Sequence, residues 1–175
     1  HDRENPGGTG YAQAMKLAVA VVAALCLAAP LAAQKSETKP AKFGFTFKDA
    51  AGKKVALSSF KGKVIILDFW ATWCVPCKAE IPGFIELQKK YGEKGLQVVG
   101  LSVDDSQSMA KKYVDEMKMN YPVLLAEGKE DILRAYDPIN SIPVSVIIDR
   151  QGRIVARHIG IATMDVFERE IAPLL

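Results

Sequence analysis

The chain has 175 residues, of which 49% are hydrophobic and 25% charged, and its formal net charge is +3. That balance supports one packed domain with a leader and excludes wholesale disorder. The charges are dispersed, with no basic block beyond pairs such as Lys53-Lys54, so the sequence offers no nucleic-acid surface.

Met15-Lys16 precedes an uncharged run from Leu17 to Ala33. One positive residue, an apolar stretch, a break at Pro30 and the small pair Ala32-Ala33 make the layout of a secretory signal peptide, with cleavage expected after Ala33. Leu31 departs from the small residue expected three positions before the cut. An uncleaved membrane anchor through residues 16–33 is the competing reading, at the short edge for spanning. Leu25 argues against lipidation of Cys26, and the lack of a polar face argues against a buried core helix. Residues 1–14 read as an upstream extension, with Met15 as the start. The protein is therefore expected to be exported, either periplasmic or membrane-anchored and facing the periplasm, where disulfides persist.

Residues 34–42 are polar and read as a mobile linker without chemistry; residues 43–175 read as the domain. Phe43, Phe45 and Phe47 alternate as in a half-buried strand. Asp49 to Gly52 turns the chain, and Lys54 to Leu57 returns it as a hairpin. Ser58 to Lys63 is a turn. Val64 to Trp70 is a continuous apolar run broken only by Asp68, as in a central strand covered on both faces. A helix is predicted from about Cys74 to Tyr91, with Pro76 in its first turn and a kink at Pro82. Leu96 to Val103 is a second buried strand. Asp104-Asp105 and Ser106 cap a helix running to Met117, where Met109, Met117 and Met119 fit core packing better than copper binding. Tyr121 to Leu125 is a short strand and Asp131 to Tyr136 a short helix. Val144 to Ile148, a turn at Asp149 to Gly152, and Arg153 to His158 form a closing hairpin. Thr163 to Ala172 is the last helix. Strands alternating with helices indicate an α/β fold with a mixed central sheet.

Cys74 and Cys77 are the only cysteines outside the leader. Two thiols three residues apart can close a small disulfide ring, which another thiolate can reopen. So small a ring removes little unfolded-chain entropy, which makes a purely structural staple a poor explanation. Structural zinc usually takes four ligands, and beyond this pair the domain adds only His158, which reads as structural. No metal and no cofactor beyond a redox-active disulfide is expected. A cysteine at a helix start meets unpaired amides and the positive end of the dipole, so Cys74 should be the nucleophile. Cys77, one turn on, should be more buried and act as the resolving thiol. Its proton needs an acceptor. Asp68, on the buried strand, and Glu80, one turn beyond Cys77, are the two candidates. The alternatives are a structural role for Asp68, and for Glu80 a solvated position paired with Lys78 or Lys61. Trp70 and Trp73 are expected to pack beside the thiols and form a docking surface.

The stretch Phe69-Trp70-Ala71-Thr72-Trp73-Cys74-Val75-Pro76-Cys77-Lys78, with Glu80 and Pro82, resembles the TlpA/ResA-like branch of thioredoxin-fold proteins. The resemblance extends over residues 43–175. It implies a thioredoxin-like fold with an N-terminal hairpin and a central insertion. It also implies an extracytoplasmic thiol–disulfide oxidoreductase acting on protein disulfides or dithiols, often in cytochrome c maturation, and served by a membrane thiol electron donor. By the same resemblance Ile142-Pro143 would hold a cis proline against the cysteines, so Trp73, Pro76, Ile142 and Pro143 make up the expected substrate-binding surface. Asp68 matches the buried acid of thioredoxin, and Glu80 the acid of the branch. Val144-Ser145 departs from the Thr-rich sequence common there. A peroxiredoxin-like peroxidase and a metal-binding chaperone on the same scaffold are the alternative functions.

Overall fold

The computed structural model describes residues 38–103 and 106–175. The leader, the start of the linker and the expected cap at Asp104-Asp105 lie outside the described residues. The described elements are β1 (Lys39–Pro40), β2 (Thr46–Asp49), β3 (Lys54–Ala56), β4 (Val64–Trp70), α1 (Val75–Tyr91), β5 (Leu96–Ser102) and α2 (Gln107–Met117). They continue with β6 (Val123–Leu125), α3 (Glu130–Ala135), β7 (Val144–Ile148), β8 (Arg153–Ile159) and α4 (Met164–Ile171).

The strands form one sheet in the order β1-β8-β7-β4-β5-β6-β2-β3. β4 pairs in parallel with β5 and antiparallel with β7, and β5 pairs in parallel with β6. β4, β5 and β7 are buried along their whole length. Strand residues point alternately to opposite faces, so the side chains sort by parity. Val64, Ile66 and Trp70 of β4 join α1 and α4 in one core, with Ile81, Phe84, Phe167 and both cysteines. Ile65, Leu67 and Phe69 face the other core, with Phe47, Leu57, Ile132 and Tyr136. Asp68 stands between Ile66 and Trp70, and therefore faces the layer that carries the cysteines.

The N-terminal hairpin β2–β3 reaches the sheet through β6, against which β2 lies antiparallel. The expected central segment thus supplies the strand on which the hairpin docks. Both hairpins turn on the same device: Asp49 Oδ1 accepts the amides of Ala51 and Lys53, and Asp149 Oδ1 those of Gln151 and Arg153. Ser106 caps α2, its hydroxyl accepting the Met109 amide at 3.4 Å.

Several expectations need correction. The linker is not free of structure, because Lys39-Pro40 pairs with Ile154 and Arg153 at the open edge of β8. An edge strand tolerates proline, which has no amide to give. The strand expected from Phe43 is assigned only from Thr46, although Phe43 and Phe47 are buried as the alternation required. The strand expected from Tyr121 starts at Val123, after Pro122. Leu57–Phe60 is a 3-10 turn. Met109 is 53% exposed and contributes nothing to the core.

Gly100 on β5 leaves room for Trp70: a Cβ there would lie 2.9 Å from the indole Nε1. Gly100→Ala should therefore lower stability by about 1–3 kcal/mol through overpacking. Urea unfolding checks this, with the midpoint falling and the slope unchanged.

Candidate active site

β4 ends at Trp70, whose carbonyl accepts from the Val103 amide at 3.0 Å. The Cys74 amide then donates to the Ala71 carbonyl at 3.1 Å, closing a turn that delivers Cys74 to the N-cap of α1. Cys74 has extended backbone (φ −79°, ψ 103°), and its Sγ accepts the Cys77 amide at 3.2 Å. That amide is one of the donors a helix start leaves without an intrahelical partner. Pro76, exposed in the first turn, has no amide to leave unpaired. The two sulfurs are bonded to each other, with Cα atoms 5.3 Å apart. Both cysteines are buried, Cys74 at 4% and Cys77 at 1% exposure. The gap is too small to assign roles; the capping position separates the two sulfurs more clearly.

Around the disulfide, Trp73 and Val75 project into solvent at 60% and 76% exposure. Trp73 and Ile142 line one groove of about 380 Å³ together with Val103, Leu133 and Ile139. Ile142 also packs against the core cluster that contains both cysteines. The Ile142–Pro143 peptide is cis, and the Pro143 carbonyl accepts the Gly160 amide at 2.9 Å. Trp70, by contrast, is fully buried, so the expected docking surface loses it and keeps Trp73. Its parity on β4 turns it inward against Tyr113, with ring centres 5.4 Å apart.

Both candidate acids are buried, Asp68 at 1% and Glu80 at 3% exposure, and their charges act on each other. Burial pushes the Asp68 carboxyl well above the usual carboxylate range, and the nearby Glu80 charge adds to the effect. A hydrogen bond from the Ser145 hydroxyl at 3.4 Å offsets it in part. Burial also raises Glu80, against the Ala162 amide, which donates to Oε1 at 2.9 Å, and the charge of a protonated His158. Glu80 Oε2 has no hydrogen-bond partner among the described residues. Glu80 is therefore neither solvated nor paired with Lys78 or Lys61. The Lys78 ammonium instead lies 5.2 Å over the Tyr113 ring.

Matches to known proteins agree with this geometry. The AhpC/TSA family model covers residues 39–157. The chain belongs to the AhpC/TSA family. Thiol-disulfide oxidoreductase ResA of Bacillus anthracis is 36% identical over 124 residues, which cover 71% of this chain and 70% of that protein. Thioredoxin-like protein YneN of Bacillus subtilis (strain 168) is 35% identical over 130 residues, covering 73% of this chain and 74% of that one. A crystal structure of a thiol:disulfide interchange protein of the thioredoxin family from Chlorobium tepidum TLS superposes with a TM-score of 0.71 at 30% identity. That superposition covers 80% of this chain and 98% of the other. The fold is thioredoxin-like, and this AhpC/TSA member is a thiol–disulfide oxidoreductase of the ResA type.

Sequence reasoning missed three groups at this oxidoreductase's site. Ser145 is the register partner of Asp68 across β4 and β7, which only the strand alignment reveals. The Ala162 amide comes from a turn far along the chain. Tyr121, read as a strand residue, is buried in the same cluster as the cysteines. Among the expected residues the structure brings Trp73 and Ile142 to one groove, and Asp68 of β4 and Glu80 on the buried side of α1 to the layer between sheet and helix.

A carboxyl that holds its proton more tightly in the fold than in the unfolded chain, which releases it above about pH 4, makes stability fall as pH rises. Asp68→Asn should therefore raise stability at pH 8 by on the order of 1–3 kcal/mol, with the gain shrinking as pH falls to about 4. Urea unfolding at the two pH values checks this; an equal effect at both would contradict it.

Proposed function

We propose that the chain is an extracytoplasmic reductase of protein disulfides, with Cys74 as nucleophile and Cys77 as resolving thiol. In this reading it is recharged by a membrane thiol donor, and oxidised exported proteins, including apocytochromes c, are its substrates. The export leader supports the location. One observation carries the chemistry: Cys74 Sγ sits at the N-cap of α1 and accepts the Cys77 amide, with two buried carboxyls in the layer behind. A thiolate at that position is held by a backbone donor and by the positive end of the helix.

The cycle follows from those positions. The reduced Cys74 thiolate attacks one sulfur of a substrate disulfide. The substrate S–S bond breaks, a Cys74–substrate bond forms, and the other substrate sulfur leaves as a thiolate and takes a proton. Cys77 gives its proton to the Asp68–Glu80 pair, and its thiolate attacks the Cys74 sulfur. The mixed disulfide breaks, the second substrate sulfur leaves, and the Cys74–Cys77 bond closes. The substrate has gained two electrons and two protons, which the membrane donor later restores to the pair. A peroxidase of the expected kind would instead present a lone reactive cysteine.

The surroundings favour the reducing direction. A strongly oxidising pair needs a reduced form that is stabilised. Here the groups behind Cys77 are carboxyls, whose charge opposes a thiolate, and the nearby Lys78 ammonium is drawn over Tyr113. Substrate would dock across Trp73, Pro76, Ile142 and Pro143, where the exposed indole and the groove beside it offer apolar contact.

Cys74→Ser should abolish reduction of insulin disulfides, whereas Cys77→Ser should accumulate mixed disulfides visible on a non-reducing gel. Equal trapping by both variants would refute the assigned roles. Glu80→Gln and Asp68→Asn should each slow resolution at neutral pH by about 10- to 100-fold while leaving the first attack intact. Stopped-flow traces that separate the two steps measure this.

A further inference from the structure

Behind the cysteines lies a cluster of buried polar groups, several of which have no hydrogen-bond partner among the described residues. Among the described residues, Trp70 Nε1, the Tyr121 hydroxyl and Glu80 Oε2 are buried without hydrogen-bond partners. An indole N–H and a phenol are donors, and a carboxylate oxygen is an acceptor. Buried polar groups are nearly always paired, so complementary orphans in one cluster point to a shared network.

The strand register brings them together. Gly100 is the β5 partner of Asp68, so the two lie side by side on neighbouring parallel strands, on the face toward α1. A Cβ at Gly100 would lie 2.9 Å from Trp70 Nε1 and 3.5 Å from Tyr121 Cε2. Both aromatic side chains thus converge on the open strip beside Asp68. The Gly100 amide donates to the Pro122 carbonyl at 2.9 Å, which pins the residue next to Tyr121 against β5. Tyr121 is 5% exposed and shares its core cluster with Cys77.

We propose that Tyr121 is a positioning residue for proton transfer: its hydroxyl donates, across one water, to the Asp68–Glu80 carboxyl pair and holds it in the ionised form that accepts the Cys77 proton. This rests on the oxidoreductase cycle proposed above. Before transfer the pair carries the negative charge and Cys77 its proton; afterwards the carboxyl holds the proton and Cys77 is the attacking thiolate. A phenol donating to the charged form opposes the burial that raises both acids. Burial first, and then the nearby charge of Asp68, hold the Tyr121 phenol well above its ordinary range, so it remains a donor throughout.

Other groups face the pair from each packed element. Ser145 on β7 bonds Asp68, the Ala162 amide bonds Glu80, and His158 on β8 faces Glu80 while bonding Glu170 of α4 at 2.7 Å. Tyr113 of α2 lies against Trp70 and beneath the Lys78 ammonium, with Glu116 beside it. Of these, Ser145 and the Ala162 amide are already engaged as donors. Tyr121 and Trp70 are the donors in this layer that are buried without a partner among the described residues; Arg157 Nε, also without one, sits opposite Val146 of the other core.

The test is the pH profile of resolution in the full chain, wild type against Tyr121→Phe. Reduced protein is mixed with oxidised glutathione and followed by tryptophan fluorescence. Losing one hydrogen bond to a carboxylate should move the midpoint of the resolution step upward by about one pH unit, with the high-pH plateau unchanged within about two-fold. The earlier attack by Cys74 should not change. An unmoved midpoint, or a uniform slowing at every pH, would overturn the role. Absence of any resolving step in the wild type would instead overturn the proposed cycle, and this inference with it. A second measurement needs no variant at Tyr121: ring-labelled tyrosine NMR should show a slowly exchanging Tyr121 hydroxyl proton whose shift follows the same midpoint. That pH response should vanish when Asp68→Asn and Glu80→Gln are combined. A rapidly exchanging, pH-independent hydroxyl overturns the proposal.

Discussion

A carboxyl in the middle of an otherwise apolar central strand works against folding, and Asp68 is such a group. Among the described residues no cation offsets its burial, and it takes one long hydrogen bond, from Ser145. A second carboxyl, Glu80, is buried within range of its charge. Burying two acids near each other disfavours their ionisation and makes the layer responsive to proton uptake. Nothing in the sheet needs this pair for packing, since Ile66 and Trp70 would build the same face without it. The arrangement makes sense as the back wall of a thiol pair that must lose and regain protons.

The fold supplies the rest of the geometry with few parts. β4 carries Asp68 inward and ends at the turn that makes Cys74 the cap of α1. One helical turn separates the two cysteines, and one more leads to Glu80 on the same side of α1. β5 contributes an absence, the missing side chain at Gly100, into which Trp70 and Tyr121 lean. β7 contributes Ser145 and the cis Ile142–Pro143 peptide that precedes it. The exposed residues, Trp73, Val75 and Pro76, surround the entrance, while the titratable groups sit in the covered layer. The exposed apolar side chains and the buried titratable groups thus lie in separate layers around the disulfide.

Much of this was legible in the residues because the relevant signals are local. The apolar run with one acid, the two cysteines at a strand–helix junction and Pro76 in the first turn all act within a dozen residues. Periodicity placed β4, α1, β5 and β7 almost where they lie. The surface and the network were harder to read, because they depend on register and parity between distant segments. Trp70 and Trp73 look equivalent in the sequence, yet one ends a buried strand and the other stands in the open turn after it. Glu80 looks like an ordinary helix acid until the Ala162 amide, 82 positions later, closes over it. Tyr121 carries no motif at all, and its place became visible only through the bare backbone of Gly100. Lys39-Pro40 read as linker because two residues are too few to show a strand pattern, and the edge of β8 recruits them.

The central claim is that Cys74–Cys77 is an electron-donating couple, in which the buried carboxyls behind Cys77 oppose thiolate formation more than the helix cap at Cys74 favours it. Its reduction potential, measured by equilibration of the full chain with glutathione or dithiothreitol buffers, tests this most directly. A potential near that of thioredoxin, about −270 mV, is the predicted result, whereas one near about −120 mV, the range of a strong oxidant, would contradict it.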